Sequence, residues 1–161
     1  MKRKVRLYNM VFPIWLLWIF PPAWLLILPG NLLLDGLVLF LVLTALHRAD
    51  RKSRMRSLIL PFWICGFLAD FAGVAWMEVG RLVSDLSRTW TIYDAFSHPA
   101  AFAWTLSAIA VSGVCIYLLD RVILKGDLSP LPKRQQFTTA LTMAIVTAPW
   151  TFLLPNSWLS S

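Results

Sequence analysis

Charged residues are what this sequence has least of. Only 14% of its 161 residues are Asp, Glu, Lys or Arg, whereas 58% are hydrophobic. A soluble domain carries roughly 25% charged residues, because water must solvate its surface. The shortage excludes an ordinary soluble domain and indicates a chain whose surface is covered mostly by the lipid bilayer.

Residues that bind metals or carry redox chemistry are also scarce. The two cysteines, Cys65 and Cys115, lie inside apolar runs and form no CxxC pair, so we interpret them as packing residues. The two histidines, His47 and His98, fall on opposite sides of the membrane in the topology predicted below. A two-histidine site within one chain is therefore excluded, and we expect no metal and no cofactor.

Enzymatic motifs are absent from the sequence: it contains no Gly-rich phosphate loop, no HExxH and no GxSxG. A one-histidine hydrolytic site can be drawn from Asp94 and His98, but it is the least favoured interpretation. The net charge of +7 comes from short basic clusters between apolar runs, without interleaved aromatic residues. This distribution indicates anionic lipid headgroups and membrane topology, not nucleic acid.

The apolar runs predict one all-α domain, a polytopic transmembrane helical bundle of about five spans. Residues 10–46 form a helical hairpin with its turn at Pro29-Gly30-Asn31. Its first arm contains several prolines, so it is either kinked or broken and re-entrant. The other three spans are expected over residues 58–80, 100–119 and 137–154, and Pro149 should bend the last of them near its end.

Polar segments connect the predicted spans. Residues 47–57 and 120–136 form basic connectors, and residues 81–99 form a loop on the other side. Within that loop, hydrophobic residues recur at helical spacing from Leu82 to Tyr93. This pattern is typical of a short amphipathic helix lying on the membrane surface.

The distribution of Lys and Arg predicts the orientation. Thirteen of the fifteen fall in the N-terminal segment and the two basic connectors, and only Arg81 and Arg88 fall on the other side. Because cytoplasmic loops are enriched in Lys and Arg, we expect the N-terminus inside and the C-terminus outside. The prediction is a multi-pass protein of the cell inner (plasma) membrane.

Three acidic residues lie within or at the rim of the predicted spans: Asp35, Asp70 and Glu78. Asp70 is roughly 18 Å along its span from Leu58, which is close to mid-bilayer. A carboxylate in hydrocarbon costs a few kcal/mol even on insertion scales, so Asp70 is expected to mark an ion or substrate pathway. Asp35 and Glu78 would form its outer vestibule, with Arg81 one turn from Glu78 and able to pair with it.

A simpler interpretation applies to the two outer acids. Asp35 and Glu78 can be interfacial residues that Asn31, Arg81 or water satisfies, and for those two residues we favour it. Asp70 has no basic residue at its depth, so it should be protonated, hydrogen-bonded or facing water.

Small residues form stripes on two spans. Gly66, Ala69, Gly73 and Gly80 share one face of the third span. The fourth span carries a similar stripe, which consists of Ala100, Ala103, Ser107 and Ala110. Such faces let helices approach closely, so the two spans are neighbours or one of them is a subunit interface.

These observations predict a small membrane transporter or channel component with Asp70 as its proton- or cation-responsive site. Because five short spans enclose little volume, we expect a homo-oligomer or a partner membrane subunit. The alternative is a non-catalytic subunit or scaffold that docks a larger membrane complex through the small-residue faces. An enzyme acting on lipid headgroups is the third hypothesis.

Overall fold

The structure is a computed structural model, and it describes residues 24–92, 94–126 and 131–154. Within these ranges it contains four α-helices and one short 3-10 helix. The α-helices are α1 (Trp24–Ala45), α2 (Arg51–Ser87), α3 (Pro99–Lys125) and α4 (Lys133–Val146), and the 3-10 helix is Trp150–Leu153. Helices account for 82% of the described residues, which include no strand. The all-helical prediction is confirmed.

Three of these helices are long and apolar enough to cross a membrane: α1 from Ile27 onwards, α2 and α3. Crossing the hydrocarbon core takes about 20 helical residues, so the 37 residues of α2 reach well beyond it. Large apolar side chains remain exposed on the outer surface of each of the three, for example Leu33 on α1, Leu68 on α2 and Leu118 on α3. Such an exterior suits lipid better than water.

The four helices form a ring in which α2 packs against α1 and α3, and α4 packs against α3 and α1. Short connections make neighbouring helices antiparallel. The α1–α2 and α3–α4 connections therefore share one end of the ring, which we call the basic end. It carries nine Lys and Arg residues, namely Arg48, Arg51, Lys52, Arg54, Arg56, Arg121, Lys125, Lys133 and Arg134.

The predicted turn at Pro29-Gly30-Asn31 is wrong, because α1 continues through all three residues. A proline removes only one amide donor, and neighbouring groups can compensate for this inside a membrane protein. Here the Trp63 indole of α2 donates to the Leu28 carbonyl at 3.0 Å. Most of the first arm of the predicted hairpin lies outside the described residues.

The amphipathic helix predicted within residues 81–99 is not separate from the preceding span. α2 runs without interruption from Arg51 to Ser87 and ends at Arg88, whose φ of 53° is left-handed. The chain then turns back, so that the Trp90 ring lies 6.4 Å from the Trp104 ring of α3. Trp90 is therefore drawn into the bundle, and it does not extend the apolar face of Leu82.

The fifth predicted span, residues 137–154, is not one continuous helix. α4 begins earlier, at Lys133, and ends at Val146; residues 147–149 are irregular before the 3-10 helix. Pro149 accounts for the break, because proline lacks an amide donor and disfavours helical geometry at the residue before it. We had expected Pro149 only to bend the helix.

Glycines on α2 allow close contact with α3. A Cβ on Gly73 would overlap the Ser112 hydroxyl and would lie 3.2 Å from the Ala108 carbonyl oxygen. Farther along α2, the Trp76 indole donates to the Ser107 hydroxyl at 2.8 Å, and the Trp104 indole donates to the Trp76 carbonyl at 2.9 Å. Close packing and two indole hydrogen bonds thus fix the register of the two helices.

We predict that Gly73→Leu lowers the free energy of unfolding, because the added side chain must separate α2 from α3. Overpacking of this kind typically costs about 1–3 kcal/mol, and sometimes more. The matched control is Ala75→Leu, two residues away on the exposed side of α2. Thermal unfolding and particle size in mild detergent are measured for both variants. Equal thermal midpoints for the two variants would contradict the α2–α3 contact.

Candidate functional site: a buried carboxyl cluster

Each of the three membrane-length helices buries one aspartate inside the ring. Asp35 of α1, Asp70 of α2 and Asp120 of α3 are 5%, 4% and 1% exposed. We call these three residues the carboxyl cluster. The bundle therefore buries three acidic side chains within a mainly apolar core, although aspartate is rarely fully buried unless it is paired.

Asp35 lies deeper than the sequence indicated. Because α1 begins at Trp24, Asp35 is roughly 17 Å along the helix axis and not at its outer rim. Gly66 of α2 provides the space for its carboxyl group, since a Cβ at Gly66 would lie 3.3 Å from Asp35 Oδ2. Asp35 is therefore buried inside the ring and is not an exposed residue at the end of α1.

Asp70 lies one helical turn beyond Gly66 on the same face of α2. Its Oδ2 accepts a hydrogen bond from Asn31 Nδ2 of α1 at 3.3 Å. Its Oδ1 is buried and has no hydrogen-bond partner among the described residues. Asn31, which we predicted as a turn residue, instead joins α1 to α2 beside the cluster.

Asp120 is the member that the sequence analysis missed. It was placed at the start of a polar connector, but α3 continues to Lys125 and carries Asp120 into the ring. Both of its carboxyl oxygens are buried without a partner in the described part of the chain. The available signal was spacing, because Ser112, Ile116 and Asp120 follow one another at intervals of four and share the buried face of α3.

Asp35 is close enough to both Asp70 and Asp120 for their charges to interact. The ion pairs around Asp50 at the basic end and around Arg81 at the opposite end lie outside the cluster. Three ionised carboxylates side by side in a low-dielectric interior would repel each other strongly. The cluster must therefore hold protons, bind cations or admit water.

The break after α4 lies next to Asp35. The Thr147 side chain is within hydrogen-bonding reach of the Asp35 carboxyl group, and residues 147–149 are all buried. The Thr147 hydroxyl also donates to the Met143 carbonyl at 2.9 Å. Because a helix C-terminus carries partial negative charge, the end of α4 favours a protonated or cation-bound Asp35 over a bare carboxylate.

Two residues of the predicted pathway lie elsewhere. Arg81 Nε donates to Glu78 Oε2 at 2.7 Å and Arg81 NH1 donates to Asp85 Oδ2 at 3.1 Å, a half-exposed network near the end of α2. Glu78 is roughly 12 Å along the axis from Asp70. The structure therefore joins Asp35 to Asp70 but leaves Glu78 and Arg81 outside the cluster.

Of the two predicted small-residue stripes, only the one on α2 is fully buried. Gly66, Ala69, Gly73 and Gly80 are all buried. On α3, however, Ala103 is exposed and Ser107 only half-buried. The buried small residues of α3 are instead Ala101, Thr105, Ala108 and Ser112. The α3 residues that contact α2 thus include Ser107 of the predicted stripe, through Trp76, together with Ala108 and Ser112 beside it.

The outer loop assembles no hydrolytic site from Asp94 and His98. His98 Nδ1 accepts a hydrogen bond from the Ala100 amide at 3.1 Å and so caps α3. Asp94 Oδ1 accepts one from the Phe96 amide at 2.9 Å within its own turn. Among the residues that the structure describes, no group of three or more His, Cys, Asp or Glu side chains is arranged to hold a metal ion.

No protein family, curated protein or solved structure matches this chain. The functional argument therefore depends on its own residues.

We predict that Asp120→Val preserves or raises the free energy of unfolding, by up to about 1–3 kcal/mol, because it removes a buried polar group that has no hydrogen-bond partner among the described residues. The comparison is Ile116→Ala, one turn away on the same face. This variant should lower the free energy of unfolding by about 2–5 kcal/mol. Thermal unfolding in one lipid-like detergent measures both. If Asp120→Val is as destabilising as Ile116→Ala, Asp120 has a stabilising partner and is not a free carboxyl group.

Proposed function

We propose that this chain is a small integral membrane transporter or channel component in which the carboxyl cluster takes up and releases protons. The observation that carries the proposal is the burial of three aspartates, one from each membrane-length helix, with Asp35 within electrostatic range of both Asp70 and Asp120. Asp70 is the member that the sequence identified, and Asp35 and Asp120 extend the cluster to the two helices that pack against α2.

The burial of these groups is difficult to explain as a stabilising feature. An acidic residue in the membrane interior costs a few kcal/mol, and the interactions that stabilise these residues here are weak. Asn31 offers Asp70 a hydrogen bond of 3.3 Å, and three of the four oxygens of Asp70 and Asp120 have no partner in the described ranges. Such groups are useful where their charge state changes, as in proton relays.

The interruption of α4 supports transport over a static scaffold. Irregular backbone at membrane depth is tolerated only where protein or a water-filled cavity satisfies it, and broken helices beside ion sites are typical of transporters. Thr147 lies at this interruption and is in contact with Asp35. A change in the charge of Asp35 would therefore act directly on a point where the helix is already broken.

A proton is a better candidate than a multivalent metal ion. Among the described residues, no group of three or more His, Cys, Asp or Glu side chains is arranged to hold a metal ion, and a proton needs no such set of ligands. Na⁺ and K⁺ are the competing ions, because helix-end carbonyl groups can also bind them.

The proposed topology retains five crossings, with the N-terminus inside and the C-terminus outside in the plasma (inner) membrane. The basic end faces the cytoplasm. α4 and the 3-10 helix together would supply the last crossing as a broken segment. We also propose that the chain works as a homo-oligomer or with a partner membrane subunit.

The non-catalytic subunit hypothesis depended on small-residue faces that were free to dock a partner. In the structure the chain's own helices cover three of these glycines. Gly66 faces Asp35, Gly73 faces Ser112, and Gly80 faces Trp104. The carboxyl cluster consequently supports the transporter hypothesis better than these faces support a scaffold.

We predict that Asp70→Asn abolishes proton flux in reconstituted vesicles while leaving folding unchanged. Asparagine keeps the size and hydrogen-bonding capacity of the side chain but cannot change its charge. Flux is driven by a K⁺ diffusion potential and followed with a pH-sensitive dye trapped inside the vesicles. Parallel Na⁺ and K⁺ gradients show which ion moves.

The matched control is Asp85→Asn, which removes an exposed carboxyl group from the same helix and should leave flux at the wild-type rate. Wild-type vesicles that are no more permeable than protein-free vesicles to any of the three ions would contradict the proposed function. Full flux from Asp70→Asn would remove Asp70 from the pathway.

A further inference from the structure

We propose that Asp120 is the inner proton-exchange carboxyl group of a relay that runs from the basic end through Asp120 and Asp35 to Asp70. The proposal deepens the proposed function and depends on it. It assigns a role to a residue that the sequence placed outside the spans, and it gives the pathway a direction.

The first argument is the order of the three residues in space. Asp120 is five residues before Lys125, roughly 8 Å along the axis from the basic end of α3. Asp35 lies ten residues, roughly 15 Å, from the end of α1 at the basic end, and Asp70 lies nineteen residues, roughly 28 Å, from the start of α2 at the same end. Asp35 is also within electrostatic range of both other carboxyl groups. Asp35 is therefore the middle member, and Asp120 is the member nearest the basic end.

The second argument is the set of unsatisfied polar atoms around this line. Both oxygens of Asp120, the Ser112 hydroxyl and the Thr139 hydroxyl are buried without a partner among the described residues. Ser112 and Thr139 belong to different helices, and both are fully buried. Buried polar atoms in native proteins are almost always satisfied by protein or by ordered water. Water molecules at these atoms would join the carboxyl groups into a path.

The third argument concerns the groups that face Asp120. From α2 the nearby titratable group is the Cys65 thiol, and from α1 it is Asp35. α4 buries Gln136 and Thr139, neither of which titrates. The adjacent Arg121 turns to Tyr117, with its guanidinium 5.8 Å from the ring centroid. Proton exchange with Asp35 is thus the reaction open to Asp120.

The relay step involves only O–H bonds. A hydronium ion at the basic end transfers a proton to one Asp120 oxygen and is left as water. Asp120 passes that proton through water to Asp35 and becomes a carboxylate again, and Asp35 passes it to Asp70. Asp70 then gives the proton to a water molecule on the side away from the basic end, and that water becomes a hydronium ion. One proton thus passes along the cluster, and each carboxyl group returns to its starting state.

The experiment compares Asp120→Asn, Asp120→Glu, Asp70→Asn and Asp85→Asn in the same vesicle assay of proton flux. Because a positioned proton-transfer group contributes roughly 10²–10⁴-fold, Asp120→Asn should lower the rate at least about tenfold. Asp120→Glu retains a carboxyl group and should therefore keep a measurable part of the wild-type proton flux. The wild-type protein is also treated with dicyclohexylcarbodiimide, which modifies protonated carboxyl groups in apolar surroundings, and the modified residues are identified by mass spectrometry.

The outcomes separate the two proposals. Loss of flux in Asp120→Asn, with partial retention in Asp120→Glu, supports the relay. Wild-type flux from Asp120→Asn, when Asp70→Asn is inactive, overturns the relay and leaves the proposed function intact. Absence of flux in the wild-type protein overturns both. If Asp120→Asn fails to fold, the carbodiimide treatment of the wild-type protein provides the test. Modification of Asp120 with unchanged proton flux contradicts the relay, and modification of Asp120 with lost flux supports it.

Discussion

The burial of three carboxyl groups inside a bundle with an apolar exterior is the constraint on which the remaining features of this structure depend. Lipid can cover the outer faces of α1, α2 and α3, but it cannot solvate Asp35, Asp70 or Asp120. These side chains must therefore point into the ring. The polar residues that surround them, Asn31, Ser112, Thr139 and Thr147, are on the inner faces for the same reason.

Glycine makes this arrangement sterically possible. Gly66 leaves room for the Asp35 carboxyl group between α1 and α2, and Gly73 lets α3 approach α2 at the level of Ser112. A larger residue at either position would push the helices apart and widen the space around the carboxyl groups. The same small residues that the sequence marked as packing sites therefore also determine the geometry of the candidate site.

Much of the fold was predictable because hydrophobic length and charge are strong signals. The sequence indicated an all-helical chain, and the predicted spans at 58–80 and 100–119 fall within α2 and α3. Local turn signals were less reliable. Pro29-Gly30-Asn31 remains helical, because contact with Trp63 outweighs the local preference, whereas Pro149 ends a helix that it was expected only to bend. The prediction of a separate surface helix was wrong, because its first residues continue α2.

The candidate site was only partly visible in the sequence. Asp70 was identifiable from its depth alone, but the depth of Asp35 depended on where α1 begins. Asp120 was hidden by the neighbouring Arg121 and Lys125, which made it look like part of a connector. That all three residues are buried inside one ring is a property of the tertiary structure, because each comes from a different helix and no spacing in the sequence relates them.

The most direct test of the central claim is the protonation state of the cluster itself. Infrared spectroscopy of the lipid-embedded protein, with ¹³C-labelled aspartate, reports protonated carboxyl groups through their C=O stretching band. We predict such a band at neutral pH, with a shift in D₂O, and with weaker intensity in each of the three single Asp→Asn variants. A spectrum in which every aspartate is ionised, or a protonated band that never exchanges with D₂O, would contradict a proton-exchanging cluster.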